Sequence, residues 1–170
     1  MLLKNPPLIK ENEAPQRMLG HALQLHQNAR FEEAAQLYQR ILGINPRHPD
    51  CLHLLGMIAY QEGNLESAAE MMREAIAINA GGTTYYSNLG TVLQAQGKLE
   101  EAEILYRHSL TLKPDLAEVH VNLGNLLLAR GNLDGSVACY ERALTLKPTC
   151  AETYNNLGNA LQKQGQTMRP

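Results

Sequence analysis

Aromatic residues are scarce in this 170-residue chain, which has no tryptophan, a single phenylalanine and 5% aromatic residues in all. Its hydrophobic content of 44% is ordinary for a globular protein, so leucine and alanine have to fill most of the interior. Because β-sheets favour aromatic and β-branched residues, this composition favours helices. The length is sufficient for one domain with a sizeable core.

An excess of charge of either sign is also missing, since 15 Lys and Arg stand against 17 Asp and Glu for a net charge of −2. Proteins that bind nucleic acid normally carry a basic surface, so we expect no nucleic-acid partner. No stretch approaches the ~18–20 apolar residues that span a bilayer, so membrane insertion is not expected. The first apolar residues are interrupted by Asn5, Pro6 and Pro7, which leaves no signal-peptide core and predicts a cytoplasmic protein.

Cysteine and histidine do not form metal-binding patterns. Cys51, Cys139 and Cys150 are odd in number and lack C-x-x-C spacing, which predicts neither a disulfide framework nor a zinc site. His21 and His26 are too far apart to share a helix face as zinc ligands at i and i+4 would. No phosphate-binding glycine loop is visible either. We therefore expect no metal, no cofactor and no catalytic residue, and do not expect an enzyme.

What the sequence does have is an internal repeat of 34 residues. The tripeptide Asn-Leu-Gly occurs at 88–90, 122–124 and 156–158, and Leu54-Leu55-Gly56 occupies the same register one period earlier. A fixed period of this length indicates a solenoid of stacked helix pairs. We predict an irregular segment at 1–14, one repeat domain at 15–165 and a tail at 166–170. The repeats are 15–48, 49–82, 83–116 and 117–150, followed by a half repeat at 151–165.

Two sets of glycines recur with this period and predict where helices touch and where they end. The first set falls inside a helix, where glycine costs about 0.5–1 kcal/mol relative to alanine, so a neighbouring backbone is expected to approach closely there. The expected partners are the small residues Ala68, Ala102 and Ser136. The second set fits the left-handed residue that ends a helix. The first set comprises Gly56, Gly90, Gly124 and Gly158, and the second comprises Gly63, Gly97, Gly131 and Gly165.

Three of the units close with a proline, at Pro46, Pro114 and Pro148, and proline cannot continue a helix. The second unit has Ala-Gly-Gly at 80–82 instead. Since glycine permits several backbone geometries, we expect this joint to be the most adaptable in the chain.

The small-large-small spacing, the Gly-Asn-Leu turn and the closing proline resemble the tetratricopeptide repeat family across residues 15–165. More narrowly, the segment 154–161 is similar to the repeats that precede the catalytic region of O-linked N-acetylglucosamine transferases and their bacterial relatives. The resemblance implies an all-α, right-handed superhelical solenoid of antiparallel helix pairs, with four full repeats and one half repeat. In that family the first helix of each pair lines the inner surface, through the second, fifth, sixth and ninth residues of each repeat. Here these are Gln16, Leu19, Gly20, Leu23, Asp50, His53, Leu54, Met57, Thr84, Ser87, Asn88, Thr91, Glu118, Val121, Asn122, Asn125, Glu152, Asn155, Asn156 and Asn159.

This implied inner surface is rather apolar in the first two repeats and carries amides and hydroxyls in the last three. An asparagine carboxamide supplies both a donor and an acceptor, which matches the C=O and N–H groups of an extended peptide. In the transferases an asparagine ladder at this position resembles such a peptide clamp, and it maps onto the sixth residue of the last three repeats. The predicted peptide-binding residues are Asn88, Asn122, Asn156, Thr91, Asn125, Asn159, His53, Leu54 and Met57.

Three functions stay open at this point, besides the alternative that the asparagines are only solvated side chains. The first is a scaffold that binds a protein or peptide in an extended conformation, and the second is the recognition arm of a larger transferase of the type just named. The third is a self-assembling structural module. Since the helix beginning near Ala151 has no second helix to cover Leu157 and Leu161, the sequence predicts a homo-oligomer formed through this C-terminal face.

Overall fold

The computed structural model describes residues 14–167, with side chains described up to residue 165. Every regular element in this part of the chain is an α-helix. The nine helices are α1 (Pro15–Gln27), α2 (Phe31–Ile44), α3 (Pro49–Gln61), α4 (Leu65–Ile78), α5 (Thr83–Ala95), α6 (Leu99–Leu112), α7 (Ala117–Ala129), α8 (Leu133–Leu146) and α9 (Ala151–Thr167). The segment expected to be irregular, apart from residue 14, and the last three residues lie outside the described residues.

The helices form an all-α solenoid in which each helix packs mainly on its neighbours along the chain. α1 pairs with α2, α3 with α4, α5 with α6 and α7 with α8, and the second helix of each pair also packs on the first helix of the next. α9 packs on α8 and α7. A solenoid of this kind buries a continuous core only by stacking, because a single pair cannot cover its own apolar face.

The glycines that were expected to end the first helix of a pair do so in three repeats. Gly63, Gly97 and Gly131 have φ values of 82°, 77° and 76°, in the left-handed region that glycine occupies without a steric penalty. Ala29 takes the same conformation in the first repeat, with φ of 57°, although it carries a Cβ. The helix end expected at Gly165 is wrong, because α9 continues through that residue to Thr167.

In the third and fourth repeats the atoms nearest to the interior glycine belong to a large side chain of the second helix. A Cβ on Gly90 would lie 2.9 Å from Cε1 of Tyr106, and one on Gly124 would lie 2.7 Å from Cε1 of Tyr140. Both distances are shorter than carbon atoms tolerate. Each glycine therefore lets the tyrosine ring of the second helix lie flat against the first.

The second repeat and the half repeat differ from these two. At Gly56 a Cβ would lie 3.0 Å from Cγ of Met72 and 3.1 Å from the backbone oxygen of Ala68, so here the small site does come close. At Gly158 no atom lies within 4 Å of the Cβ position. The described part of the chain contains no large side chain that covers this last glycine.

The position that covers these glycines holds some of the largest fully buried side chains of the described residues, and in the first repeat, where alanine (Ala22) replaces the glycine, it is Tyr38. Tyr38, Met72, Tyr106 and Tyr140 are each 0–1% exposed. They occupy the same position in successive second helices, 34 residues apart. This position therefore fastens the two helices of each pair, and it also determines where three tyrosine hydroxyl groups lie.

The joint between α4 and α5, which lacks a proline, is held by side chains. α4 ends at Ile78, and the backbone N–H of Gly81 donates a hydrogen bond to Oδ1 of Asn79 at 3.1 Å. A Cβ on Gly82 would overlap the ring of Tyr85, which is 4% exposed. The close approach of this ring is a physical reason for glycine at position 82 that is independent of backbone flexibility.

Candidate functional site

The first helices of successive pairs contact one another directly, which places them on the inner side of the curve. These contacts join α3 to α5, α5 to α7 and α7 to α9, and no contact of that extent joins two second helices among residues 14–167. The predicted peptide-binding residues all lie on α3, α5, α7 and α9. The curvature therefore brings them to one concave surface.

At the α3–α5 end of this surface Asn88 is bonded to a buried histidine. Nδ2 of Asn88 lies 2.8 Å from Nε2 of His53, which is 7% exposed and stacks on Tyr85 with the ring centroids 4.7 Å apart. Burial lowers the pKa of His53 to about 4 and outweighs the opposing attraction of the Asp50 carboxylate. The ring is therefore neutral at neutral pH, and its Nε2 accepts the hydrogen bond from the Asn88 carboxamide.

The centre of the surface holds a small polar network on α5. The hydroxyl of Tyr106, which reaches over from α6, donates to Oε1 of Gln94 at 3.0 Å and lies 3.1 Å from Oγ1 of Thr91. Burial raises the pKa of Tyr106, so this hydroxyl keeps its proton at neutral pH. Thr91 is thus part of a fixed network rather than a free hydroxyl.

A second network of the same kind lies one repeat further along. Oδ1 of Asn125 accepts a hydrogen bond from the hydroxyl of Tyr140 at 2.7 Å and another from Nδ2 of Asn156 at 3.2 Å. Burial raises the pKa of Tyr140 to about 12, so its hydroxyl is protonated and donates. Two of the predicted ligand-binding asparagines therefore bond to each other across the α7–α9 boundary.

Between these networks lies an open groove of about 290 Å³. Asn122, on α7, lines this groove and makes no side-chain hydrogen bond to any other described residue, so both its NH₂ group and its Oδ1 are available. The residues that line the groove are Tyr60, Thr91, Gln94, Ala95, Tyr106, Asn122 and Asn125. None of them is charged, so the groove suits an uncharged polar ligand group.

The remaining predicted residues take less part in this groove. Leu54 and Met57 are half-buried and pack against the core clusters beneath α3. Asn159 is exposed on α9, outside the lining of the groove. The asparagine ladder is therefore uneven: Asn122 is free, whereas Asn88 and Asn156 are engaged by neighbouring repeats.

Sequence reasoning missed the two tyrosines and the glutamine that shape the groove. Tyr106 and Tyr140 recur with the 34-residue period, but the period alone assigns no role to their hydroxyl groups. Gln94 occupies the twelfth position of its repeat, outside the four positions that the family resemblance predicts to face inward. The available signal was the coincidence of a buried tyrosine with a carboxamide one helix earlier, at 94 and 106 and again at 125 and 140.

The predicted self-association residues lie on an apolar face of α9. Leu161 is 46% exposed, Leu157 is half-buried and Tyr154 is 54% exposed. Gly158 lies between the two leucines in sequence and, as described above, is not covered. Within residues 14–167 no helix packs on the far side of α9.

The described residues contain neither a metal-binding cluster nor a membrane-spanning helix. No group of three His, Cys, Asp or Glu side chains between residues 14 and 167 could hold a metal ion. No helix in the same range combines the length and the apolar character needed to cross a membrane.

With this geometry in place, comparisons with known proteins identify its class. Two family models described as tetratricopeptide repeat match residues 25–92 and 83–113, and one described as TPR repeat matches 124–165. The fold and the groove define a helical-repeat scaffold for protein–protein interaction. The chain belongs to the tetratricopeptide repeat family. No curated protein matches it.

Solved structures with the same fold have low sequence identity to this chain. MamA superposes with a TM-score of 0.76 at 19% identity, covering 89% of this chain and 82% of MamA. The pilF protein of Pseudomonas aeruginosa gives 0.82 at 23% identity, covering 89% and 69%. A chain of the APC/C hetero-tetramer Cut9-Hcn1 gives 0.83 at 17% identity, covering 87% of this chain but 30% of the other. At such identities the likeness establishes the shared fold alone.

Proposed function

We propose that this repeat scaffold binds a partner protein by holding an extended segment of it in the concave groove lined by α3, α5 and α7. The scaffold itself performs no catalysis. It recognises mainly the backbone C=O and N–H groups of its ligand, because the groove offers carboxamides and hydroxyls and its lining has no charge.

The observation that carries this proposal is the free carboxamide of Asn122 beside the open groove of about 290 Å³. A half-buried polar side chain with unused donors and acceptors gains from a ligand that presents both. The neighbouring amides of Gln94 and Asn125 point to the same ligand class, because their NH₂ groups make no hydrogen bond to another described residue.

The three asparagines of the ladder are expected to contribute unequally. Asn88 and Asn156 already make intramolecular hydrogen bonds, so a ligand has to replace those bonds or share the remaining groups. Asn122 has no such competitor. Replacing Asn122 by alanine removes about 0.5–1.5 kcal/mol for each hydrogen bond lost, which corresponds to an affinity weakened by about 2- to 12-fold per bond.

The test uses the whole chain as bait in a pull-down, followed by measured binding isotherms for the captured partner. Asn122→Ala and the triple variant of Asn88, Asn122 and Asn156 should weaken binding while far-UV circular dichroism stays unchanged. The matched control replaces Gln36 and Gln39, two exposed amides of the second helix α2, by alanine. An affinity that is unchanged in the triple variant would mean that the ladder is only solvated surface.

A second function, self-association through α9, is favoured by the uncovered position of Gly158 between Leu157 and Leu161. In the second, third and fourth repeats the equivalent glycine is covered by Met72, Tyr106 and Tyr140, respectively. A second copy that packs on this face would bury apolar surface that is otherwise exposed to water. Light scattering over a wide concentration range should detect a dimer or larger species that Leu157→Glu and Leu161→Glu abolish, and a strict monomer would exclude this function.

The third alternative, a recognition arm of a larger glycosyltransferase, rests on the resemblance of residues 154–161 alone. The length of the native reading frame tests it directly, because such an enzyme requires a catalytic region after the repeats.

A further inference from the structure

Two carboxamides of the concave groove accept hydrogen bonds from tyrosines of the second helices, and we call this arrangement the tyrosine lock. The hydroxyl of Tyr106 donates to Oε1 of Gln94, and the hydroxyl of Tyr140 donates to Oδ1 of Asn125. Both tyrosines are 0–1% exposed, and each ring lies against the glycine of the preceding helix. The two hydroxyl groups therefore have fixed positions, and in this arrangement each contacts the oxygen of the carboxamide and not its nitrogen.

The consequence of this lock is that each amide presents its donor end. Oδ1 of Asn125 already accepts two hydrogen bonds, because Nδ2 of Asn156 also donates to it. A carbonyl oxygen has two lone pairs, so Asn125 has no remaining acceptor capacity. Gln94 and Asn125 both line the groove, and their NH₂ groups donate to no other described residue.

The charge of the groove restricts the acceptor that these donors can bind. Its lining contains no Lys, Arg or His, so it offers no cation to offset the desolvation of a carboxylate. A neutral carbonyl oxygen costs less to desolvate and satisfies an amide N–H equally well. An extended peptide supplies such oxygens at regular intervals.

We propose that Gln94 and Asn125 form a carbonyl-binding subsite. In it, the NH₂ groups of these two tyrosine-bonded amides donate hydrogen bonds to two backbone carbonyl oxygens of an extended peptide. The free carboxamide of Asn122 beside them binds either a C=O or an N–H group. Tyr106 and Tyr140 are positioning residues, since they contact the amides and not the ligand. This subsite rests on the proposed function, and it specifies that the protein recognises the carbonyl oxygens of the peptide backbone.

The first experiment uses two probe peptides that differ only in N-methylation, N-acetyl-pentaglycine amide and N-acetyl-pentasarcosine amide. Both carry backbone carbonyl groups, but the sarcosine peptide has no N–H groups within its backbone. Titrated into nitrogen-15-labelled protein, both peptides should shift the side-chain NH₂ resonances of Gln94 and Asn125, with affinities within about threefold of each other. Binding of the glycine peptide alone would overturn the subsite but leave the proposed function standing. If neither peptide shifts a resonance of α5 or α7, the proposed function fails as well.

The second experiment removes the NH₂ donor of Asn125 while keeping the shape of the side chain nearly the same. Asn125→Asp still accepts from Tyr140 and Asn156 but presents no NH₂ group, so it should weaken binding of both peptides by about tenfold. Asn159→Asp introduces the same charge at the equivalent, exposed position one repeat later and should have little effect. Tyr140→Phe keeps the ring but releases the amide, and it should also broaden or move the Asn125 NH₂ signals of the free protein. Equal effects of the two aspartates, or unchanged Asn125 signals in the phenylalanine variant, would contradict the lock.

Discussion

The interior glycines offer a sharp test of the packing, because the same substitution should have opposite effects in different repeats. In a helix, Gly→Ala gains about 0.5–1 kcal/mol from backbone entropy and propensity. At Gly158, where no atom lies within 4 Å of the added methyl group, this gain should appear in full. At Gly124 the methyl group would lie 2.7 Å from Tyr140, whose ring is fully buried and anchored by its hydroxyl.

Overpacking a site of this kind typically costs about 1–3 kcal/mol. After the helical gain is subtracted, Gly124→Ala should destabilise the protein by up to about 2.5 kcal/mol, whereas Gly158→Ala should stabilise it by up to about 1 kcal/mol. Gly56→Ala should fall between them, because the Met72 side chain is flexible but the backbone oxygen of Ala68 is not.

Urea unfolding followed by far-UV circular dichroism measures these differences, provided that the slope with denaturant is the same in all variants. A changed slope would indicate that the repeats no longer unfold together. The reasoning would be refuted if Gly124→Ala and Gly158→Ala changed stability in the same direction and by the same amount.

Three further predictions follow from single buried groups. Burial lowers the pKa of His53 to about 4, so on acidification the unfolded chain takes up a proton at this residue before the folded chain does. The contribution of the neutral histidine to stability is complete above about pH 6.5 and is lost towards pH 4. Over that range the free energy of unfolding of the wild type should fall by roughly 2–3 kcal/mol more than that of His53→Gln, and parallel pH profiles of the two proteins would disprove this. The hydroxyl of Tyr38 is buried without a partner among the described residues, so Tyr38→Phe should leave the stability in thermal unfolding unchanged or raise it. Tyr140→Phe removes the hydrogen bond to Asn125 and should cost about 0.5–1.5 kcal/mol of stability. Equal losses in the two variants would contradict this. Gly82→Ala should destabilise by about 1–3 kcal/mol through overlap with the neighbouring tyrosine ring, and amide exchange at 79–83 should distinguish a tight joint from the adaptable one that the sequence suggests.

The candidate site was only partly accessible to sequence reasoning. The sixth residue of the repeat predicts Asn122 as a peptide-binding residue, and the structure places it beside an open groove. The same rule treated Asn88 and Asn156 as equivalent to it, although one is bonded to a buried histidine and the other to an asparagine of the preceding repeat. Identical positions in a repeat have different neighbours when the adjacent repeats differ, so register alone does not decide whether a side chain is free.

The sequence by itself determined the solenoid, because its signals are local and recur every 34 residues. A glycine that ends a helix in the left-handed region, as at Gly63, Gly97 and Gly131, depends on the backbone of its own turn and can be read from one repeat. Only the tertiary structure decided which polar atoms remain for a ligand. The lock of Gln94 by Tyr106 joins two helices of one pair, and it depends on ångström-scale distances that packing sets and that the sequence period does not encode.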